Sequence, residues 1–190
     1  MRKIIAPWLL IMIGMTILLT PFPQVGRAAI PSQLKYPSCD SFGVQRFRER
    51  KEAPAFSLNS LDGKKISLSD FKGKPVLITF WATWCDSCKE EIPLLEKLST
   101  GKRDQLTILF IAIDGERKKA VQKIADQNKI TVPVLLLLKE KVMDQYGVTG
   151  WIPLTFLIDR EGMLVGKIVG QREWCSSEAW SCLKELFELP

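Results

Sequence analysis

The sequence predicts an α/β domain built in layers around one sheet. Its 190 residues are enough for one domain plus accessory segments. Two runs, residues 76–81 and 106–113, are almost entirely apolar, as central strands covered on both faces are. Further strand-like runs alternate with segments of helical periodicity along the chain, and this alternation is typical of layered α/β domains.

The first 28 residues have the layout of a secretory signal. Arg2 and Lys3 precede an apolar run over residues 4–19, and the small residues up to Ala28 offer a cleavage site. The apolar run is also close to the shortest length that spans a membrane, so an uncleaved anchor is the open alternative. Both alternatives place the globular part outside the cytoplasm, in the periplasm or an equivalent compartment.

We divide the chain into this signal peptide or anchor at 1–28, an N-terminal extension or linker at 29–52, and the main domain at 53–190. The sequence carries 27 basic and 21 acidic residues. Cleavage after residue 28 would leave 24 basic residues, an excess of +3, which is too small to argue for nucleic-acid binding. The basic run at 46–51 predicts a solvated helix or linker, with contact to anionic lipid headgroups as the alternative.

Turn signals and periodicity define the elements of the main domain in order. Asp62-Gly63 predicts the turn of a hairpin between strands at 53–58 and 65–68. The strand at 76–81 leads into a helix that begins near Cys85 or Asp86. The remaining predicted elements are a strand at 106–113, a helix at 116–127, a strand at 134–138, a short helix at 140–146, strands at 154–158 and 163–169, and a final helix at 177–188.

Two cysteines, Cys85 and Cys88, stand at the start of the helix that follows the strand at 76–81. Residues three apart are neighbours on a helix, at about the separation that a disulfide needs. The free N–H groups and the positive dipole end of a helix N-terminus favour the Cys85 thiolate, which is the nucleophilic form. We therefore expect reversible disulfide chemistry in which Cys85 attacks and Cys88 resolves the mixed disulfide.

Other functions of this cysteine pair fit the sequence less well. A zinc site lacks suitably paired ligands, because the chain has no histidine and no second Cys-x-x-Cys. An inert structural disulfide is the other alternative. A peroxidase would need a proline and then Thr or Ser at fixed spacing before Cys85, where Ile78 and Ala82 stand instead. The absence of histidine also excludes Ser-His-Asp and Cys-His hydrolase schemes.

The stretch Trp84-Cys85-x-x-Cys88-Lys89-x-Glu91-x-Pro93 resembles the active-site segment of the TlpA/ResA-like thiol–disulfide oxidoreductases of the thioredoxin superfamily. Downstream, Tyr146-Gly147-Val148-Thr149-Gly150, followed by a segment from Pro153 to Gly162, resembles the strand of that family that begins with a cis-proline. The resemblance covers roughly residue 53 to the C-terminus. It implies a thioredoxin fold with an N-terminal β-hairpin and an αβ element inserted in the central sheet.

The resemblance also implies roles for residues around the cysteines. Glu91 matches a buried glutamate, whose raised pKa would let it take the proton of Cys88. Pro153 matches the cis-proline beside the cysteines, where the exposed backbone at Ile152 pairs with a substrate strand. We expect Trp84, Ile152 and Pro153 to contact the substrate. One extra residue precedes Pro153, so Trp151 is predicted either to contact the substrate or to pack in the core.

The predicted function is that of an extracytoplasmic thiol–disulfide oxidoreductase without a cofactor or a metal. We expect it to reduce oxidised protein substrates, of the kind found in cytochrome c maturation or copper-site assembly, and to be recharged by a membrane thiol-transfer protein. Asp86 adds negative charge beside Cys85, which favours a reductant over a strong oxidant. The alternative is a copper-binding chaperone of related fold, in which thiolates and thioethers would hold Cu(I).

Three further cysteines lie outside the motif: Cys39, Cys175 and Cys182. Unpaired thiols are a liability in an oxidising compartment, so one additional disulfide is expected. Cys175 and Cys182 would be about 10 Å apart on one helix, which exceeds the reach of a disulfide. We therefore expect Cys39 to bond either Cys175 or Cys182, against the alternative of three free thiols.

Overall fold

A computed structural model describes residues 36–139 and 141–190. The predicted signal peptide or anchor at 1–28, the first part of the extension, and residue 140 lie outside the described residues. The strands are β1 Gln45–Glu52, β2 Ser57–Ser60, β3 Lys65–Ser67, β4 Val76–Trp81, β5 Thr107–Ala112, β6 Val134–Leu136, β7 Leu154–Ile158 and β8 Met163–Val169. The helices are α1 Pro37–Phe42, α2 Asp86–Lys102, α3 Lys118–Gln127, α4 Val142–Tyr146 and α5 Ser177–Phe187, with 3₁₀ turns at Leu68–Phe71 and Gly115–Arg117.

The strands of the described residues form one mixed sheet in the order β1-β8-β7-β4-β5-β6-β2-β3. β4, β5 and β6 run parallel. β7 pairs antiparallel with β4, β8 pairs antiparallel with β7, and the β2–β3 hairpin extends the sheet beyond β6. The predicted α/β class is therefore confirmed. The predicted strands and helices of the main domain are all present within a few residues of their expected bounds, except that the first hairpin strand begins at Ser57 rather than at residue 53.

Strand β4 is buried on both faces, and its side chains divide the core into two layers. Because successive side chains of a strand point to opposite faces, Leu77 and Trp81 pack on one side while Ile78 and Phe80 pack on the other. Apolar side chains of α1, α2, α3 and α5 cover the first side, and those of α4 and the segment before β2 cover the second. The elements that carry the cysteines thus rest on a fully buried central strand.

The basic run at 46–51 is neither a helix nor a linker, and that prediction is wrong. It lies in β1, which pairs antiparallel with β8 at the edge of the sheet, with a bulge between Arg46 and Lys51. All eight residues of β1 are exposed, so the predicted solvation is correct although the element type is not. The predicted domain boundaries at residues 28 and 52 stay predictions.

Helix α1 precedes β1, packs on the same side of the sheet as α2, α3 and α5, and is attached to α5 by a disulfide. Cys39 is bonded to Cys182, and both residues are fully buried. Of the two pairings expected for Cys39, the structure therefore contains the one with Cys182, and Cys175 is a free, exposed cysteine. Gly43, with a left-handed φ of +87°, ends α1 and turns the chain into β1.

No helix in the parts of the chain that the structure describes, residues 36–139 and 141–190, is both long and apolar enough to cross a membrane.

Loss of the Cys39–Cys182 bond should destabilise the protein, because the bond closes a loop of 143 residues in the unfolded chain. Replacing both cysteines with alanine is expected to lower the free energy of unfolding by about 2–4 kcal/mol. Urea unfolding measures the change, and Cys175→Ala, which removes the free exposed thiol, is the matched control. Equal stabilities of wild type and double variant, or peptide mapping that finds Cys39 and Cys182 unbonded, would contradict the assignment.

Candidate active site

The Cys85–Cys88 pair lies where β4 ends and α2 begins. Cys85 has an extended backbone and occupies the N-cap position of α2, and its sulfur accepts a hydrogen bond from the Cys88 N–H at 3.2 Å. The two sulfurs form a disulfide, with the Cα atoms 5.3 Å apart. Cys85 is 7% exposed and Cys88 only 1%. An N-terminal helix position supplies unpaired N–H donors, which stabilise a thiolate at Cys85 when the bond is reduced.

Asp114 fixes the loop that presents Cys85. Its buried carboxylate accepts hydrogen bonds from the Thr83 backbone N–H at 3.1 Å and from the Thr83 hydroxyl at 2.6 Å. Thr83 follows β4 and Asp114 follows β5, two parallel strands whose carboxyl ends lie at the same edge of the sheet. The sequence analysis missed Asp114, although a polar residue directly after a buried parallel strand is the signal that could have identified it.

The loop before β7 faces the cysteines. The peptide bond between Ile152 and Pro153 is cis, as the family resemblance implied. The Ile152 carbonyl oxygen lies 3.9 Å from the Cys85 sulfur, and Pro153 is buried behind it. The structure therefore brings together Cys85, Ile152 and Pro153, three of the residues that the sequence analysis placed at the site.

Two tryptophans near the disulfide are exposed. Trp84 precedes Cys85 and is 58% exposed, and Trp151 precedes Ile152 and is 77% exposed. Both indole rings therefore lie largely in solvent, next in sequence to residues at the disulfide. Of the two alternatives for Trp151, core packing is wrong, since its side chain lies largely in solvent.

Glu91 lies one helical turn after Cys88 and is 1% exposed. Its Oε1 accepts two hydrogen bonds, from the Trp174 indole N–H at 2.7 Å and from the Arg172 backbone N–H at 3.0 Å. Burial raises the pKa of Glu91 to about 7, against these hydrogen bonds and the Arg172 charge, which lower it. The neighbouring Glu90 is exposed. A carboxyl group that titrates near neutral pH can exchange a proton there.

The charge of Asp86 is paired. Lys89 donates a hydrogen bond to the Asp86 carboxylate at 2.8 Å, and this bond and the Lys89 charge lower the pKa of Asp86. The negative charge that the sequence analysis placed beside Cys85 is therefore partly offset by the ammonium group one turn along α2. Both side chains are solvent-accessible, so the pair contributes little to stability.

The sequence analysis also missed Arg172 and Trp174, both in the segment between β8 and α5. No local pattern marks them, because their contacts with Glu91 span more than 80 residues of chain. Among the described residues, 36–139 and 141–190, no group of three or more Cys, Asp or Glu side chains is arranged to hold a metal ion.

A disulfide-bonded cysteine pair at a helix N-terminus, faced by a cis-proline within an α/β sheet, is the arrangement typical of a thiol–disulfide oxidoreductase of thioredoxin fold. The AhpC/TSA family profile matches residues 50–167, and the chain belongs to this family. The peroxidase signature considered in the sequence analysis is absent around Cys85, where Ile78 and Ala82 stand at its key positions, so membership in this family does not add a peroxidase site.

Similar proteins agree with this class. Thiol-disulfide oxidoreductase ResA of Bacillus thuringiensis is 39% identical over 123 residues, which cover 64% of this chain and 70% of ResA. Thioredoxin-like protein YneN of Bacillus subtilis is 38% identical over 130 residues, covering 67% and 74%. The thioredoxin domain of a thiol-disulfide oxidoreductase from Bacteroides vulgatus superposes with a TM-score of 0.62 at 31% identity, covering 71% of this chain and 94% of that domain. The predicted enzyme class and thioredoxin fold are confirmed.

The raised pKa of Glu91 predicts a pH-dependent stability difference in the oxidised protein. The unfolded carboxyl group ionises near pH 4.5 and the folded one near 7, so the folded state binds more protons between these values. The stability that wild type holds below pH 4.5 is therefore lost as the pH rises to about 7. Relative to wild type, Glu91→Gln should gain about 3 kcal/mol of unfolding free energy across this window.

Urea unfolding of wild type and Glu91→Gln from pH 4 to pH 8 measures this difference. Glu90→Gln is the matched control, since it removes the same charge from an exposed neighbouring position on α2. A constant stability difference between wild type and Glu91→Gln over the whole range would show that the Glu91 pKa is not raised by folding.

Proposed function

We propose that the protein reduces disulfide bonds of partner proteins outside the cytoplasm, with Cys85 as the attacking cysteine and Cys88 as the resolving one. The observation that carries the proposal is the asymmetry of the pair. The Cys85 sulfur lies beside the Ile152 carbonyl at an edge rimmed by exposed tryptophans, whereas Cys88 is more deeply buried, one turn from the buried carboxyl group of Glu91.

In the proposed reaction, the Cys85 thiolate attacks one sulfur of the substrate disulfide. The substrate S–S bond breaks, a mixed disulfide forms on Cys85, and the first substrate thiolate leaves. Glu91 then takes the proton of the Cys88 thiol, and the Cys88 thiolate attacks the Cys85 sulfur. The second substrate thiolate leaves, the substrate has gained two electrons, and the enzyme holds the Cys85–Cys88 disulfide.

Substrate contacts are proposed for Trp84, Ile152 and Pro153, with Trp151 added by its exposure. The Ile152 N–H and carbonyl make no backbone hydrogen bond to another described residue, so they are free to pair with an extended substrate segment. The exposed indole rings of Trp84 and Trp151, next in sequence to Cys85 and Ile152, offer apolar area for such a segment. The expected substrate is an unfolded or loosely folded segment in which apolar side chains flank the disulfide.

The buried Cys39–Cys182 disulfide supports a compartment outside the cytoplasm. The buried Cys39–Cys182 bond is typical of proteins that fold in oxidising compartments, and it supports export by the segment at 1–28, either as a cleaved signal or as an anchor. Regeneration of the dithiol then requires two electrons from a membrane thiol-transfer protein. The family resemblance suggests apocytochrome c cysteines or oxidised copper-site thiols as substrates.

Partner trapping tests the substrate assignment. Cys88→Ser should retain attack by Cys85 but accumulate mixed disulfides, because no resolving thiol follows. Cys85→Ser, the matched control, should trap nothing. If Cys88→Ser forms no mixed disulfide on Cys85 while the wild-type protein binds Cu(I), the result would contradict the reductase function and favour the copper-chaperone alternative.

Selective labelling tests the roles of the two cysteines. In the reduced protein, Cys85 should react with iodoacetamide at least about tenfold faster than Cys88, because it is more accessible and is stabilised as the thiolate at the helix N-terminus. Mass spectrometry after brief labelling measures the ratio. Preferential labelling of Cys88 would reverse the assigned roles.

The redox potential tests the direction of transfer. The Asp86 and Lys89 charges offset each other, and no basic residue lies between the two cysteines, so no unpaired positive charge adds to the helix N-terminus in stabilising the reduced thiolate. We expect a potential nearer to that of thioredoxin, about −270 mV, than to that of DsbA, about −120 mV. Equilibration with glutathione buffers measures it, and a value near that of DsbA would contradict the reductase direction.

A further inference from the structure

Trp174 is the side chain that holds the carboxylate of Glu91. It is fully buried between β8 and α5, and its indole N–H donates to Glu91 Oε1 at 2.7 Å. The Arg172 backbone N–H donates to the same oxygen at 3.0 Å. Glu91 Oε2 is buried and accepts no hydrogen bond from the described residues. Because two donors occupy Oε1, Oε2 is the oxygen left to take a proton.

Both donors are held in turn by the C-terminal end of α1. The Phe42 ring meets the Trp174 ring edge-on, with the centroids 5.2 Å apart. The Phe42 carbonyl accepts a hydrogen bond from the Arg172 Nε–H at 3.2 Å. Gly43 allows this approach, since a Cβ there would lie only 3.0 Å from the Arg172 guanidinium. The segment that binds Glu91 therefore packs directly against α1.

Helix α1 is fixed to α5 on its other side. The Cys39–Cys182 disulfide joins the two helices in the protein interior. The Ser38 hydroxyl and N–H donate to the Glu185 carboxylate at 2.6 and 3.3 Å. With only six residues, α1 would not be a stable helix by itself, so its position depends on these links.

We infer that Trp174 is a positioning residue for Glu91, and that α1, tethered by the Cys39–Cys182 disulfide, clamps Trp174 in place. The inference rests on the proposed role of Glu91 as the proton acceptor of Cys88. The clamp fixes one carboxylate oxygen with two donors and leaves the other free. It thereby connects α1, which precedes the first strand of the sheet, to proton transfer at the active-site dithiol.

Few charged groups act on Glu91, so a pH titration of its carboxyl group can be interpreted directly. Arg172, from the segment after β8, is the cation that acts on the carboxylate. On the packed helices, Asp40 of α1 is paired with Arg46, and Glu185 of α5 is hydrogen-bonded to α1. In the oxidised protein, Cys85 and Cys88 are bonded to each other and do not titrate, so the ionisation of Glu91 can be followed alone.

NMR of the oxidised wild-type protein provides a test that needs no variant of Trp174. Side-chain ¹³C shifts follow the Glu91 carboxyl group, and ¹⁵N–¹H spectra follow the six indole N–H groups. The Trp174 indole proton should move downfield with the same midpoint as Glu91 ionises, because its hydrogen bond becomes charge-assisted. An indole resonance that stays unchanged through the Glu91 midpoint would overturn the inference.

Trp174→Phe removes the N–H donor and keeps an aromatic ring against Phe42. Loss of a hydrogen bond to the charged form should raise the Glu91 midpoint by about one pH unit. The matched control is Trp180→Phe, which removes an indole that contacts Lys102 rather than Glu91. Equal Glu91 midpoints in wild type and Trp174→Phe would overturn the positioning role.

The clamp is tested with the double variant Cys39→Ala and Cys182→Ala. Release of α1 should speed hydrogen exchange of the Trp174 indole at least about tenfold more than that of the β4 backbone amides, which report global unfolding. Equal acceleration of both would show that the disulfide stabilises the fold without clamping Trp174, and would overturn that part of the inference.

A different signal tests the proposed role of Glu91 itself. Glu91→Gln should slow thiol–disulfide exchange by the reduced enzyme near neutral pH, and unchanged rates from pH 5 to 9 would contradict its role as proton acceptor. The Trp174 indole shift and the Glu91 midpoint are measured without turnover. Failure of the positioning inference and failure of the proposed function are therefore distinguishable.

Discussion

The site depends on the direct passage from β4, buried on both faces, into the N-terminus of α2. The fixed strand leaves little freedom for residues 82–85, and the hydrogen bonds of Thr83 to Asp114 tie this loop to the end of β5. Cys85 therefore becomes the N-cap of α2, where backbone N–H groups face its sulfur. The same geometry brings Cys85 within reach of Ile152, because β7 pairs with β4 and begins beside it. Packing of the central strands thus sets the chemistry at the edge of the sheet.

Apolar runs and short motifs predict those elements whose burial is visible in a few consecutive residues. The apolar run of β4, the cysteine spacing at the start of α2 and the motif around Pro153 all belong to this kind, and the structure has them where the sequence indicates. β1 was misread because all eight of its residues are exposed, so no alternation of buried and exposed side chains marks a strand. β1 pairs with β8 beside Gly166. A Cβ at that position would lie 2.8 Å from Val44, the residue before β1, so the glycine leaves room for the close approach of the two strands.

The contacts that tune Glu91 could not be predicted in this way, since they join α2 to Arg172 and Trp174 far along the chain. From its position on the helix alone, Glu91 would be expected at the surface, and only the family resemblance implied that it is buried. The structure explains how burial is tolerated. Desolvation disfavours the carboxylate, while two hydrogen bonds and the Arg172 charge favour it, and the balance holds the pKa of Glu91 at about 7. Without those partners, burial alone would keep the group protonated to higher pH.

The chain carries two disulfides that differ in access rather than in kind. Thiol–disulfide exchange requires a thiolate to reach a sulfur atom. The Cys39 and Cys182 residues are fully buried between α1 and α5, whereas the Cys85 sulfur lies at the site edge beside the exposed Trp84. An attacking thiolate can therefore reach the Cys85–Cys88 bond more readily than the Cys39–Cys182 bond. Cys175 is exposed, lies just before the start of α5, and its thiol donates to the Leu94 carbonyl at 3.5 Å. It is seven residues from Cys182, about two helical turns, which is too far for a disulfide with Cys182. Burial thus favours exchange at the Cys85–Cys88 bond and protects the Cys39–Cys182 bond, which fixes α1 to α5.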